Sequence, residues 1–314
     1  MELTHSEHAI DVAAPAATVA AIVGAVSSWP TFFPPTVHAR REAGDDHEET
    51  IRIWATANGE LRTWTSRRTL SADGRRVDFE QQQPRHPVAA MGGSWRITPD
   101  GDGCRVVLLH HYAAVDDDPG VLEQMNRAVD TNSTAELAAL KNSAERAAAD
   151  LVYSFADTEV IEGPVGEAYA FVNDCARWPE RLPHVARLDV DETTPGLQMM
   201  EMDTRSADGS VHTTVSGRVC FNGERIVYKQ TTPPRGLAGH RGEWTFERQD
   251  AGRVAVTSRH TVVLDPDAFA SLPNPPADLD EARALVRHAL GSNSRATLAH
   301  AKAHVEGVTA TTSA

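Results

Sequence analysis

Two stretches 150 residues apart carry one pattern. Leu61-Arg62-Thr63-Trp64-Thr65-Ser66-Arg67-Arg68 closes on Ser-x-Arg, and Val211-His212-Thr213-Thr214-Val215-Ser216-Gly217-Arg218 closes the same way. The echo extends along the chain. Pro15 matches Pro164 and Trp29-Pro30 matches Trp178-Pro179, each at an offset of 149. Between Phe79–Trp95 and Tyr228–Trp244, five of 17 aligned pairs are identical. Asn132-Ser133 matches Asn293-Ser294 at an offset of 161, so the second half holds a longer insertion, assigned to the run Leu272-Pro273-Asn274-Pro275-Pro276. A period of this size lies far beyond the ~20–50 residues of solenoid repeats. The chain is therefore a tandem duplication of one domain, and both halves must satisfy the same fold.

Each half reads alike. An alternating segment, His5 to Val12, predicts a strand. Pro15 then opens a short helix with an Ala/Val face, and the Trp-Pro turn follows. Six further strands are expected between Val37 and Val115, separated by turns such as Ala72-Asp73-Gly74 and Asp100-Gly101-Asp102-Gly103. The half closes on a helix from about Gly120 to Asp150. In the second half a strand at Ser154–Ile161, a helix at 164–174 and strands from Ala186 to Leu264 repeat the plan, with Asn222-Gly223 as a hairpin signal. A last helix is expected over Leu279–Val305. The domains predicted are 1–150 and 151–305, with a disordered tail at 306–314. This order describes an α+β, helix-grip (START-like) fold, twice. A curved antiparallel sheet wraps a long C-terminal helix, and the cavity between them suits an apolar ligand.

Strand periodicity places the chemistry. Side chains alternate faces with period two, so Ser66 and Arg68 share a face, as do Ser216 and Arg218. If that face is the inner one, each domain buries a hydroxyl–guanidinium pair. A guanidinium in a dry pocket can hold a developing oxyanion with fixed donors. Histidine supplies proton transfer near neutral pH. His111 and His260 match at an offset of 149 on the last strand, and His184 and His240 are further candidates in the second domain. Met91 stands at the position of His240 in the first. Trp29 and Trp178 read as core anchors of the turn. Asp116-Asp117-Asp118 reads as a solvated turn, and Gly92-Gly93 lacks the helix N-terminus that a phosphate loop needs.

Composition narrows the class of partner. A formal net charge of −14 argues against a broad nucleic-acid surface. Three cysteines without metal or pairing spacing fit a reducing compartment. The N-terminal residues show no basic or apolar signal region, and no apolar run approaches the ~18 residues of a membrane span. A cytoplasmic protein without cofactor or metal is expected.

The Trp-Pro turn, the Trp64-x-Ser66-x-Arg68 strand, Trp95 and the Asn-Ser-Thr-Ala segment resemble the aromatase/cyclases of bacterial type II polyketide synthases. The duplication resembles their di-domain members. That resemblance implies a substrate: a ketoreduced poly-β-ketone on an acyl carrier protein, made by the minimal polyketide synthase and ketoreductase. It implies closure and dehydration of the first ring, between the seventh and twelfth carbons. It places catalytic roles on Arg68, Arg218, Ser66 and Ser216, and an aromatic lining on Trp64, Trp95 and Trp244. Tyr228, Gln230, Asn132 and Asn293, in repeated segments, are added as substrate-binding candidates. Where some monodomain members carry a tyrosine after the Trp-Pro turn, this chain has Thr36, and Val185 beside His184. Thr214 replaces Trp64, so the two pockets are not equivalent. The competing expectation is a non-catalytic, START-like carrier of a lipid or aromatic product.

Overall fold

The computed structural model describes residues 2–312 except 58, 206–208 and 251. The chain divides into two compact units, Met1–Ala55 with Arg62–Asp150, and Leu151–Ala314 with the short stretch Thr56–Leu61 grouped to it; the sheets follow the break at Asp150. The first contains β1 (Thr4–Val12), α1 (Ala16–Gly24), α2 (Trp29–Phe32), β2 (Thr36–Gly44), β3 (Glu48–Ala57), β4 (Glu60–Leu70), β5 (Arg76–Gln82), β6 (Val88–Asp100), β7 (Gly103–Ala114) and α3 (Pro119–Glu145). The second contains β8 (Val152–Glu162), α4 (Val165–Asn173), α5 (Trp178–Arg181), β9 (Val185–Thr194), β10 (Leu197–Arg205), β11 (Val211–Phe221), β12 (Arg225–Thr232), β13 (Leu237–Arg248), β14 (Arg253–Leu264), α6 (Pro266–Ala270) and α7 (Leu279–Thr312).

Both sheets have seven strands in the same order, β1-β7-β6-β5-β4-β3-β2 and β8-β14-β13-β12-β11-β10-β9. The first strand crosses to pair with the last, and the others form an antiparallel meander. In each unit the long helix packs on those two strands, α3 on β1 and β7, α7 on β8 and β14. These are two helix-grip domains in tandem.

Local chemistry explains the helix boundaries. The third aspartate of the Asp116-Asp117-Asp118 run is the cap of α3: its Oδ1 accepts from the Gly120 and Val121 N–H groups, and Pro119 occupies the first turn. Asp265 caps α6 in the same manner. The inner face of α3 carries Val129, Ser133, Leu137, Leu140 and Ala144, all buried. On α7 the corresponding face buries Ser294, Thr297, Leu298, Ala301 and Val305. Residues 306–312, expected in a disordered tail, continue this helix, while 313 and 314 lie outside the described residues. Glu306 ties that turn down by accepting from the Glu162 N–H at 3.2 Å.

The register of one hairpin differs between the units. Trp95 faces Leu108, 13 positions on, whereas Trp244 faces Ser258, 14 positions on. The second hairpin thus holds one more residue, and the last strand is offset by 150 where its neighbour is offset by 149. A shift of one residue moves every side chain to the opposite face.

Candidate functional site

Both strand arginines point inward and are almost fully buried, Arg68 at 1% and Arg218 at 2% exposure. Neither hydrogen-bonds to the serine two residues before it, among the described residues. Each anchors instead on the short helix above: Arg68 Nη2 donates to the Val23 carbonyl at 2.9 Å, and Arg218 Nη2 to the Val172 carbonyl at 2.8 Å. The tryptophans of the Trp-Pro turns complete the seats. The Arg68 guanidinium lies 5.0 Å from the Trp29 ring and that of Arg218 5.2 Å from Trp178. Trp29 and Trp178 therefore orient the cations as well as anchoring the turn. Ser66 and Ser216 are buried beside them.

The arginines differ in their counter-charge. Arg68 Nη1 lies 3.1 Å from Glu49 Oε1, without hydrogen-bond alignment, and Arg41 Nε donates to the other Glu49 oxygen at 2.6 Å. Burial holds the Arg68 guanidinium down, to about 10, against the raising effect of Glu49. Directly across from Arg218 stands Gln198, whose amide nitrogen donates to Glu192 at 2.8 Å. No carboxylate pairs with Arg218 among the described residues, and its Nη1 has no hydrogen-bond acceptor.

Arg218 lines an interior cavity of the second unit. Ser216, Thr214, Tyr228, Gln230, His240, Trp244, His260, Asn293 and His184 line it too, as do Met200 and Met202. At its centre, His260 Nδ1 lies 2.9 Å from His240 Nε2, and His260 Nε2 lies 2.6 Å from Ser294 Oγ. Ser258 Oγ and Tyr228 Oη reach the same imidazole at 3.3 Å. His240 Nδ1 is hydrogen-bonded to Gln230 Oε1. These contacts assign the tautomers. With Gln230 Oε1 as acceptor, His240 carries its proton on Nδ1 and accepts at Nε2. His260 must then donate from Nδ1, which leaves its Nε2 to accept from Ser294. Burial pushes His260 down to about 4 and His240 well below its ordinary value, so both rings are neutral at pH 7. Burial also lowers His184, with His300 as the second cause, and raises the Tyr228 phenol, which stays protonated and whose oxygen can accept from the His260 Nδ1–H.

The first unit is built differently. His111, expected to pair with His260, lies on the outer face, bonded to Glu80 at 2.8 Å. Its neighbour His110 faces inward, 3.4 Å from Ser133 Oγ and edge-on to Phe79 at 5.6 Å. The cause is the one-residue difference in hairpin length, which makes His110 the structural counterpart of His260. Asn132 is exposed on α3, while Ser133 beside it is buried. Trp95 is buried against Phe33 at 6.2 Å. Trp64 is half-buried on the face of Ser66, and Thr36 is buried at the start of β2. Met91 packs beside Tyr112, Ala114, Met125 and Val129.

Besides His110 and Glu49, three groups escaped the sequence reading. Glu136 lies on the inner face of α3, one turn beyond Ser133, and burial pushes its carboxyl up to about 7. Its counterpart at an offset of 161 is Thr297. Ser133 and Ser294 were visible only as the second residue of Asn-Ser, and their helical phase, 100° from asparagine, decides which faces the sheet. Among the described residues, no group of three or more His, Cys, Asp or Glu side chains could hold a metal ion, and no helix is long and apolar enough to cross a membrane.

Comparison with known proteins agrees with this architecture. Residues 4–145 and 161–279 each match a family described as polyketide cyclase/dehydrase and lipid transport. A granaticin polyketide synthase bifunctional cyclase/dehydratase from Streptomyces violaceoruber is 46% identical, over 94% of this chain and 92% of its own. An actinorhodin polyketide synthase bifunctional cyclase/dehydratase from Streptomyces coelicolor is 43% identical, over 94% and 95%. Among solved structures, the di-domain ARO/CYC BexL from the BE-7585A biosynthetic pathway has a TM-score of 0.87 and 49% identity, covering 96% of this chain and 99% of that one. The di-domain ARO/CYC StfQ from the steffimycin pathway has a TM-score of 0.80 and 32% identity, covering 97% and 99%. With both halves matched and relatives aligned along nearly its whole length, the chain belongs to the polyketide cyclase/dehydrase family, in its two-domain form.

Proposed function

We propose that this protein is a bifunctional cyclase/dehydratase that closes and aromatises the first ring, between carbons seven and twelve, of a ketoreduced poly-β-ketone carried on an acyl carrier protein. The names of its relatives support a cyclase/dehydratase of a type II polyketide pathway. The ring position and the carrier-bound, ketoreduced substrate come from the family resemblance. The observation that carries the chemistry is the chain Ser294–His260–His240–Gln230 beside a guanidinium without a carboxylate partner.

Aldol closure removes a proton from a methylene between two carbonyls, and the resulting carbanion attacks a third carbonyl carbon. Ser294 Oγ can take that proton while its own passes to His260 Nε2, and the Nδ1 proton moves on to His240 Nε2. The new alkoxide faces Arg218 Nη1, a fixed donor in a dry site. The proton held on the His240 imidazolium returns along the relay and converts the alkoxide to a hydroxyl. Dehydration then removes a second proton from the adjacent carbon through Ser294 and delivers one to the departing hydroxyl, so that the C–O bond breaks, a C=C bond forms and water leaves. In the first unit the corresponding polar groups are Arg68, the inward His110 and Glu136, whose carboxyl burial raises to about 7. A purely apolar carrier has no use for these buried polar groups, which weighs against the alternative of a non-catalytic lipid binder.

In this state the second cavity encloses about 100 Å³. Ligand pockets commonly reach ~300–1,000 Å³, so substrate entry requires the wall to yield. Met200 and Met202, with flexible thioether chains, are the side chains suited to that. An acidic carrier protein would need a basic rim to dock on, and several arginines of the first unit are already paired with carboxylates. Arg40 pairs with Glu42, Arg67 with Glu48, Arg75 with Asp73 and Arg76 with Asp78. We place the protein in the cytoplasm, where the synthase, ketoreductase and carrier supply its substrate.

The test is reconstitution with a minimal polyketide synthase and ketoreductase, followed by product analysis. His260→Gln is expected to reduce the aromatic first-ring product by ~100-fold, the scale of a lost general acid–base group. Misfolded-ring shunt products should accumulate in its place. An unchanged product spectrum for both His260→Gln and Arg218→Ala would leave the protein as a carrier.

A further inference from the structure

The relay just described works only if the His260 ring keeps one orientation. Its two nitrogens must meet His240 on one side and Ser294 on the other, and a turn about the Cβ–Cγ bond breaks both contacts. Hydrogen bonds at two points of the ring hold it loosely, because small rotations about that bond tilt the plane and lengthen both contacts together. Something must fix its plane.

Phe155 of β8 lies directly across from His260 in the sheet, with the two rings stacked at 4.9 Å and 24°. The Arg287 guanidinium of α7 sits over the Phe155 ring at 4.7 Å. Arg287 is held by Asp157, two residues along β8: Nη1 donates to Oδ2 at 2.9 Å and Nη2 to Oδ1 at 2.7 Å. Arg295 adds a third contact to Asp157 at 3.3 Å. One further residue makes room for this arrangement. A Cβ on Gly291, in the interior of α7, would come 1.9 Å from Arg287 Nη1 and 2.8 Å from Arg295 Nη1. Glycine is the poorest residue for a helix interior after proline, so its presence there has a packing reason. Here it lets the guanidinium lie flat along the helix toward Phe155.

The first unit has none of this. Ser6 faces His110 where Phe155 faces His260, and His8, Asn126 and Asp130 stand at the offsets of Asp157, Arg287 and Gly291.

We infer that Phe155, with Arg287 clamped on it by Asp157 and admitted by Gly291, is a positioning unit that fixes the plane of His260 for proton transfer in the second cavity. The inference rests on the relay reading of that cavity. None of the four residues lines the cavity, so they act through His260 and not on the substrate.

Gly291→Ala gives a sharp test. Alanine favours the helix, so the variant should melt at or above the wild-type temperature while its methyl group displaces Arg287. A merely structural role predicts an enzyme as good or better. The positioning role predicts kcat for first-ring product down about tenfold with KM within about twofold, since small misplacements of a catalytic group cost up to ~10²-fold. Arg287→Met and Phe155→Leu should show the same split. In ¹⁵N spectra of the imidazole rings, His260 should change from one tautomer to a mixture in all three. Wild-type kcat and a single His260 tautomer in Gly291→Ala and Phe155→Leu would overturn the inference. His260→Gln, run alongside, separates the two levels. If it removes the product while Gly291→Ala does not, positioning fails and the relay stands; if His260→Gln is itself silent, the relay fails and the inference with it.

Discussion

The two units share a topology and a buried arginine under a tryptophan, yet their interiors have been polarised in opposite ways. In the first, Arg68 lies 3.1 Å from Glu49, and three positions of the sheet hold Phe79, Met91 and Leu108. In the second, Arg218 faces Gln198, and Tyr228, His240 and Ser258 take those three places. The contrast teaches that the arginine alone does not define the chemistry. A guanidinium with a carboxylate at 3.1 Å is partly spent on its own counter-ion. One without a carboxylate partner retains its field for a substrate oxyanion. The second unit then adds the imidazole pair of the proposed relay, while the first retains a single inward histidine and a carboxyl that burial raises.

The largest effect that could break this contrast is on stability. Removing Arg68 leaves Glu49, 3% exposed, with Arg41 as its remaining cation. Arg68→Ala is expected to cost ~3 kcal/mol, the lower end for breaking a buried ion pair. Arg218→Ala orphans no carboxylate and loses a hydrogen bond and a cation–ring contact, ~1–2 kcal/mol together. Thermal melts of the two variants decide: equal losses would mean that Glu49 and Gln198 are not what separates the units.

The pH response should split as well. Burial lowers His240 well below its ordinary value and His260 to about 4 in the second unit. These rings remain neutral in the native state while the unfolded chain takes up protons below ~6.5. Stability present above that value is therefore lost as pH falls from ~6.5 toward 4, by up to ~1.4 kcal/mol per unit for each histidine. Burial raises Glu136 in the first unit to about 7. That carboxyl is protonated when folded and ionised when unfolded between ~4.5 and 7, so its contribution is lost as pH rises through that window. His110, lowered to about 4, opposes it in the same unit. Hydrogen exchange resolved by unit, at pH 5 and 7.5, should show the second unit losing more protection in acid, and Glu136→Gln should remove the first unit's loss at the higher pH. A uniform acid loss across both units would contradict the assignment.

The smallest change sharpens the comparison at one atom. Tyr228→Phe gives the second unit the ring of Phe79 and removes a 3.3 Å hydrogen bond to His260. Stability should change by ~1 kcal/mol or less, and first-ring product should fall about threefold, a much smaller loss than for the relay histidines. A loss as large as that of His260→Gln would make the phenol, and not Ser294, the group that meets the substrate.

Much of this was legible in the sequence. Period-two spacing placed Ser66 with Arg68 and Ser216 with Arg218 on common faces, and the repeat predicted the shared fold. The failures have one physical origin each. His111 was matched to His260 by constant offset, and the offset changes by one inside a hairpin. Asn132 was chosen over Ser133 because only helical phase distinguishes adjacent residues. Glu49 and Glu136 reach their positions through tertiary packing, and no local pattern announces a carboxylate that will be buried. Each serine is buried with its arginine as expected, but the guanidinium is oriented by a helix carbonyl, of Val23 or Val172, and by a tryptophan ring, neither of which the strand pattern announces.

The extra residue between Trp244 and Ser258 has a consequence for anyone who would move chemistry between the halves. In a sheet, turn length works as a parity setting: it decides which half of the following strand's side chains is admitted to the interior. A graft of β7 into the second half, cut by the constant offset of 149, would deliver His111 inward and bury the wrong alphabet throughout. Carried with its turn, the same strand would deliver His110. The exchangeable module of this duplicated fold is thus the whole hairpin, and its two copies have diverged by a change of phase as well as by substitution.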